Sequence, residues 1–195
     1  SNWANSIRDS IMSLTGKILI SHPNVPDGNI FHRSVVYLYQ DNPSEGSIGL
    51  ILNKPSKFLV QDAARDKNII LPDMHNKIYH GGPVNQQALV MLHTNNWGSE
   101  NTMPAGRQLC VSSDNLMFHK LANGDQPAYW RMFGGMAGWA PGQLDAELSG
   151  KWPYRAENSW LIAEPTEEFL FMKNGEKQWQ RAFELSSNQM FNQYF

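Results

Sequence analysis

Phe133-Gly134-Gly135-Met136-Ala137-Gly138-Trp139-Ala140-Pro141-Gly142-Gln143-Leu144-Asp145-Ala146-Glu147-Leu148 is the stretch around which the chain is organised. Ahead of it, Ala128 to Phe133 has the aromatic composition of a strand. Gly134, Gly135 and Gly138 then remove three side chains within five positions, which predicts a bend or the close approach of another backbone segment. Trp139 has the size to plug the space so opened. Pro141 suits the first position of a helix, where its missing N–H costs nothing. Leu144 and Leu148 fall on one helix face, and Gln143 and Glu147 on a neighbouring one. Asp145 complements the positive end of the helix dipole, and Ser149-Gly150 stops the helix. Strand, glycine bend, short helix is the resulting expectation. The polar residues admit two readings. They cap and solvate a structural corner, which we rank first, or Gln143, Asp145 and Glu147 line a polar pocket at the junction.

The 195 residues fit one domain, and a chain of that length can bury a conventional core. A 41% hydrophobic and 11% aromatic composition is globular. The net charge of −2, with mixed signs, gives no electrostatic footprint for nucleic acid or an anionic membrane. The single cysteine, Cys110, excludes an internal disulfide framework and reads as a small buried hydrophobe in Leu109-Cys110-Val111. No apolar run approaches the ~20 residues that span a membrane, and the N-terminus lacks a secretion-signal layout. The expectation is a cytoplasmic protein with no membrane association.

Working outward, Ile7, Ile11 and Leu14 predict a short leading helix over residues 5–14. Lys17 to Ser21 reads as a strand and Asn24 to Asn29 as a loop. Ile30 to Tyr39 reads as the longest strand, apolar on both faces and hence covered on both. Ser47 to Asn53 pairs with it across the turn at 41–46, and Lys54-Pro55 ends it. Leu59 to Lys67 is helical, Lys77 to His80 and Ala88 to His93 are strands, and Asn95 to Gly106 is a polar loop. Gln108 to Ser112 is a strand feeding a helix capped by Ser113 or Asp114 and ended by Gly124. Lys151 to Asn158 reads as an inserted loop, Trp160 to Ala163 as a strand, Thr166 to Phe171 as a capped helical turn and Glu176 to Leu185 as the last helix. No linker composition or internal repeat appears. Strands in hairpin-like runs favour an α+β class with a mostly antiparallel sheet.

Four motifs, in this order, resemble the AlgH/YqgE-like family of bacterial proteins. They are Gly16 to Ile20 with Pro23, Asp27 and Phe31 to Leu38; Gly46 to Pro55; Gly81-Gly82-Pro83-Val84 with Leu92-His93; and Gly138-Trp139 through Gly142-Gln143-Leu144-Asp145 to Glu147-Leu148. The resemblance covers about residues 14–185 of a single domain. The leading helix and the tail from Ser186 to Phe195 lie outside it, and the 151–158 loop is longer than usual. It implies one α+β domain of bent, branching β-sheets flanked by helices. Gly81, Gly82, Pro83, Gly138, Trp139 and Gly142 are its structural motif residues. It implies no established reaction, although some members carry a transcriptional-regulator label.

A search for chemistry returns little. There is no phosphate-binding glycine loop, no nucleophile elbow and no histidine pair at metal-ligand spacing, so no metal and no cofactor are expected. Asp27, Arg33, Ser34, Asn53, Gln143 and Glu147 remain as candidate binding residues. An enzyme would use Asp27 or Glu147 as general base and Arg33 as an anion holder. The structural alternative pairs Arg33 with Asp27, closes a strand end with Asn53 and bonds free backbone with Gln143. With no nucleophile, base and orienting group in view, no catalytic residue is named. Trp97, Trp130, Trp152 and Tyr154 offer a separate interface reading; Trp97 and Trp152 lie in loops, where a tryptophan serves an interface or, as we rank first, folds back on its own domain. The leading expectation is a non-enzymatic binding or regulatory protein acting through a protein partner. A small-molecule binder or hydrolase-like enzyme is the alternative, and a DNA-associated regulator is third.

Overall fold

A computed structural model of the protein describes residues 13–150, 160–172 and 174–194. The expected leading helix over 5–14 and the loop with Trp152 and Tyr154 lie outside these residues, apart from Ser13 and Leu14. The described elements are β1 (Ile18–Ser21), β2 (Val35–Asn42), β3 (Gly46–Ile51), β4 (Pro55–Leu59), α1 (Val60–Asp66), β5 (Lys77–His80), β6 (Val84–Thr94), β7 (Met103–Pro104) and β8 (Leu109–Ser112). They continue with α2 (Leu116–Ala122), β9 (Trp130–Trp139), α3 (Gln143–Ser149), β10 (Trp160–Ala163), α4 (Glu167–Met172) and α5 (Gly175–Tyr194).

The ten strands form one hydrogen-bonded network in the order β10-β1-β2-β3-β9-β6-β8-β7, with β5 and β4 branching from β9. Every pairing is antiparallel except β5 with β9. This is the α+β class with a bent, branched sheet that the strand runs and the resemblance led us to expect.

Alternation along the strands decides what each face buries. On β1, Ile18 and Ile20 join an apolar cluster beneath α4 and α5, while Leu19 joins a second cluster with Trp139, Leu144 and Trp160. On β2, Val35, Tyr37 and Tyr39 take the first side and Val36 and Leu38 the second. That is the doubly covered strand its sequence predicts. A third cluster, built on Met91, Phe118 and Met132, lies between the sheet and helices α1 and α2.

The central stretch differs from its expected form. β9 does not stop at Phe133 but runs through all three glycines to Trp139. The glycines serve not to end a strand but to let two backbones cross. A Cβ on Gly135 (φ +79°) would meet the Gly82 carbonyl oxygen at 2.4 Å, and one on Gly81 would meet the Gly135 oxygen at 2.2 Å. Side chains at these positions would hold the segments apart.

Other boundaries move for local reasons. The strand expected from Ile30 begins at Val35, because residues 30–33 turn and Arg33 adopts φ +46°. Ala88–His93 is part of a longer strand that starts at Val84, and the 95–106 loop contains the short β7. The last helix runs beyond Leu185 through most of the expected tail. Gln189 anchors that extension. Its Oε1 accepts from the Glu164 amide at 2.9 Å, and its Nε2 donates to the Glu164 carbonyl at 3.0 Å.

Candidate functional site

Asn53 lies at the end of β3 and is 1% exposed. Its Oδ1 accepts from the Val35 amide at 3.0 Å, and its Nδ2 donates to the Arg33 carbonyl at 2.9 Å and the Gly175 carbonyl at 3.0 Å. One amide side chain thereby ties the 30–34 turn, the start of β2 and the start of α5. Ser34 is fully buried, donating its Oγ to the Phe31 carbonyl, while its amide donates to Ser21 Oγ, both at 2.8 Å. These two side chains spend their polar atoms on the fold.

Arg33 is exposed and pairs not with Asp27 but with Glu176, its guanidinium 5.8 Å from the centre of the Trp179 ring. The α5 start reaches this turn through Asn53, which puts Glu176 closer than the expected partner. Asp27 sits on the exposed loop and acts through its charge on Lys54.

Gln143 and Glu147 stand elsewhere. Gly142, at φ +80°, is the N-cap of α3, and Gln143 Oε1 accepts from the Ala140 amide at 3.0 Å. Glu147 Oε1 accepts from the Trp160 indole N–H at 3.2 Å. Trp160 packs edge-on to Trp139, and Phe31 touches both rings. The six candidates therefore form two groups joined by the 22–34 loop, not one polar pocket.

The structure does assemble a groove of about 650 Å³ from the ends of the motif segments. Lys54 and Phe58 come from the β3–β4 segment, Asp62 from α1, His80 and Gly82 from the end of β5, and Ile30 from the loop. Its rim is apolar and open: Phe58 is 65% exposed and Ile30 44%. The Lys54 ammonium donates to the His32 carbonyl. Burial lowers the Lys54 pKa, with Arg33 acting the same way and Glu176 and Asp27 opposing. The groove thus sets a partly desolvated cation beside exposed apolar side chains. Lys54 reads in the sequence only as a strand terminator, and Phe58 carries no periodic signal that sets it apart.

A serine–histidine contact also escaped the sequence. His93 Nε2 lies 2.7 Å from Ser112 Oγ, and Nδ1 lies 2.8 Å from the Thr94 carbonyl oxygen. Ser112 Oγ continues to Thr102 Oγ1 at 2.7 Å. With His93 at 0% exposure and Ser112 at 1%, the pair has no surface on which a substrate can sit. Trp97 closes it edge-on at 4.9 Å and donates its indole N–H to Asp125, so this loop tryptophan folds back on its own core. Burial lowers the His93 pKa and raises that of the half-buried Cys110. Among the described residues no three His, Cys, Asp or Glu side chains gather as metal ligands. No helix there is long and apolar enough to cross a membrane.

Comparison with known proteins places this architecture. The AlgH-like family model matches residues 18–190, so it reaches into the tail helix. A UPF0301 protein of Sinorhizobium medicae is 30% identical over 193 residues, covering 94% of this chain and 91% of the relative. One from Methylococcus capsulatus is 31% identical over 174 residues, covering 86% and 88%. Among solved structures, the AlgH protein from Pseudomonas aeruginosa superposes with a TM-score of 0.73 at 30% identity over 89% of each chain. A Corynebacterium diphtheriae protein shares the fold at a TM-score of 0.65 and 21% identity, covering 92% of this chain and 90% of its own. The chain belongs to the AlgH-like family.

Proposed function

We propose that the protein is a non-catalytic cytoplasmic binding protein acting through a protein partner. The groove beside Lys54 takes an extended segment of that partner with an apolar anchor and a carboxylate. The observation that carries this reading is the pairing of the exposed Phe58 and Ile30 rim with the Lys54 ammonium. An apolar anchor buries the rim, and a carboxylate offsets the desolvation that depresses Lys54. Asp62 and Asp66 line the α1 side of the groove, so the segment's acidic group points away from α1. The same acids oppose a nucleic-acid backbone. The lone cysteine supports a reducing setting.

The test is a random-peptide display selection on the purified protein. Enriched peptides should share an apolar residue near Asp or Glu and lose binding to Phe58→Ala and Lys54→Met. Peptides that bind both variants as well as the parent would sink this reading. So would a metabolite that raises Tm in the parent but not in these two variants, since it would give the groove to a small molecule.

A further inference from the structure

The groove is charged unevenly. Lys54 and α1 stand at the two ends of β4, which carries Phe58 between them, so the groove has a basic end and an acidic side. At the basic end His80 lies beside Lys54, its amide donating to the Lys54 carbonyl at 2.8 Å. The side-chain charges acting on Lys54 come from Glu176, Arg33 and Asp27, all outside α1. On α1, Asp62 and Asp66 lie one turn apart and both line the groove. These two acids differ in what they do for the fold. Asp62 Oδ2 accepts from the Leu59 amide at 3.3 Å, capping α1, and its Oδ1 pairs with Arg65 at 3.4 Å. Asp66 is exposed and, among the described residues, its carboxylate has no hydrogen bond or ion pair. The cations next to it are engaged elsewhere: Arg65 with Asp62, and Lys67 with Asn115 Oδ1 at 3.3 Å and the Phe118 ring. Asp66 also ends α1, where the helix dipole disfavours a carboxylate. The fold gains nothing from an acid at this position, whereas a cation in the groove would.

We propose that Asp66 is a specificity residue of the groove. The partner segment carries a Lys or Arg on the far side of its apolar anchor from its carboxylate. This assignment rests on the groove being the partner's site and adds the charge order and direction of the segment. The carboxylate meets Lys54, the apolar side chain packs on Phe58 and Ile30, and the basic group meets Asp66. Opposite charges at the two ends admit the segment in one direction, because reversal sets like charge against like at both. A wholly acidic segment is repelled at Asp66 and a wholly basic one at Lys54.

The test is a parallel selection of displayed random peptides on the whole protein and on its Asp66→Lys variant. Because Asp66 is exposed, its replacement does not threaten the fold. Peptides selected on the parent should carry an apolar residue with Asp or Glu on one side and Lys or Arg on the other. Asp66→Lys should exchange that Lys or Arg for Asp or Glu and keep the anchor. By fluorescence anisotropy, replacing the basic residue of a parent-selected peptide with Gln should weaken binding to the parent about threefold, as for an exposed ion pair. The same replacement should leave binding to Asp66→Asn unchanged. Peptides that need Phe58 and Lys54 but lack the basic residue, or keep it against Asp66→Lys, would overturn the Asp66 assignment and leave the groove reading intact. Peptides that bind independently of Phe58 and Lys54 would overturn both.

Discussion

The Gly81 amide donates to the Gly134 carbonyl at 2.9 Å while the Gly81 carbonyl accepts from the Ile51 amide at 2.8 Å. One residue thus joins β9 to β3 at the point where the sheet branches. Below it, β9 pairs with β5 through Gly134; above it, β9 pairs with β3 from Ala137. His80, Gly82 and Gly134 all line the groove, so this crossing sets its position.

Gly135→Ala should therefore cost about 3–5 kcal/mol, combining left-handed backbone strain with a steric clash against Gly82. Gly142→Ala has the same positive φ but nothing within 4 Å of its added Cβ, and should cost only about 1 kcal/mol. Urea unfolding of the two variants checks this. Equal losses would mean that backbone conformation alone, not close approach, explains the glycines.

The same crossing shows what the sequence can and cannot say. Three glycines in five residues announced a close approach, but not whether the strand stopped there, because the approaching partner lies some fifty residues earlier. The doubly apolar pattern of Val35 to Tyr39 was legible because both faces are covered along the whole run. Asn53, Gln143 and Glu147 were legible as important polar positions but not as separate ones. Their distance apart depends on a long-range strand register: Trp139 pairs with Ser47 near the start of β3, while Asn53 follows its end. Lys54 and Phe58 acquire meaning only when the ends of β3, β5 and the loop meet.

Asn53→Ala should cost about 2–4 kcal/mol, because it removes three hydrogen bonds and strands the buried Val35 amide. Asn53→Asp keeps the acceptor for Val35 but sets a carboxylate against two carbonyl oxygens, so it should not rescue stability. An Asp variant as stable as the parent would contradict the observed amide orientation.

His93 makes stability depend on pH. Burial holds its folded pKa below the ordinary value of 6.5. The unfolded chain then binds more protons through this window, so stability rises with pH. The contribution is present above about pH 6.5 and is lost as pH falls from there through the folded value. Urea midpoints measured from pH 8 to pH 5 should show that slope, and His93→Gln should flatten it. An unchanged slope in the variant would assign the dependence to other groups.

Phe58→Ala should leave the unfolding midpoint within the range of about 0.5 kcal/mol typical of exposed sites, since the ring is 65% exposed. Its effect should fall on peptide binding, with a loss of about tenfold or more if the ring is the anchor of the groove. Fluorescence anisotropy with a selected peptide measures the loss, and an intact affinity would remove Phe58 from the recognition surface.

Arg33 tests the reverse case, a candidate binding residue whose visible contacts are structural. Its ion pair with Glu176 is exposed on both sides, at 45% and 52%, so screening limits its worth. Arg33→Ala should therefore cost about 1 kcal/mol or less, with most of that loss gone in 1 M salt. Arg33→Gly loses the same pair and the Trp179 contact but relieves the positive φ of +46°, so it should be at least as stable as the alanine variant. Glycine less stable than alanine here would show that the turn does not hold this residue in the left-handed region in solution.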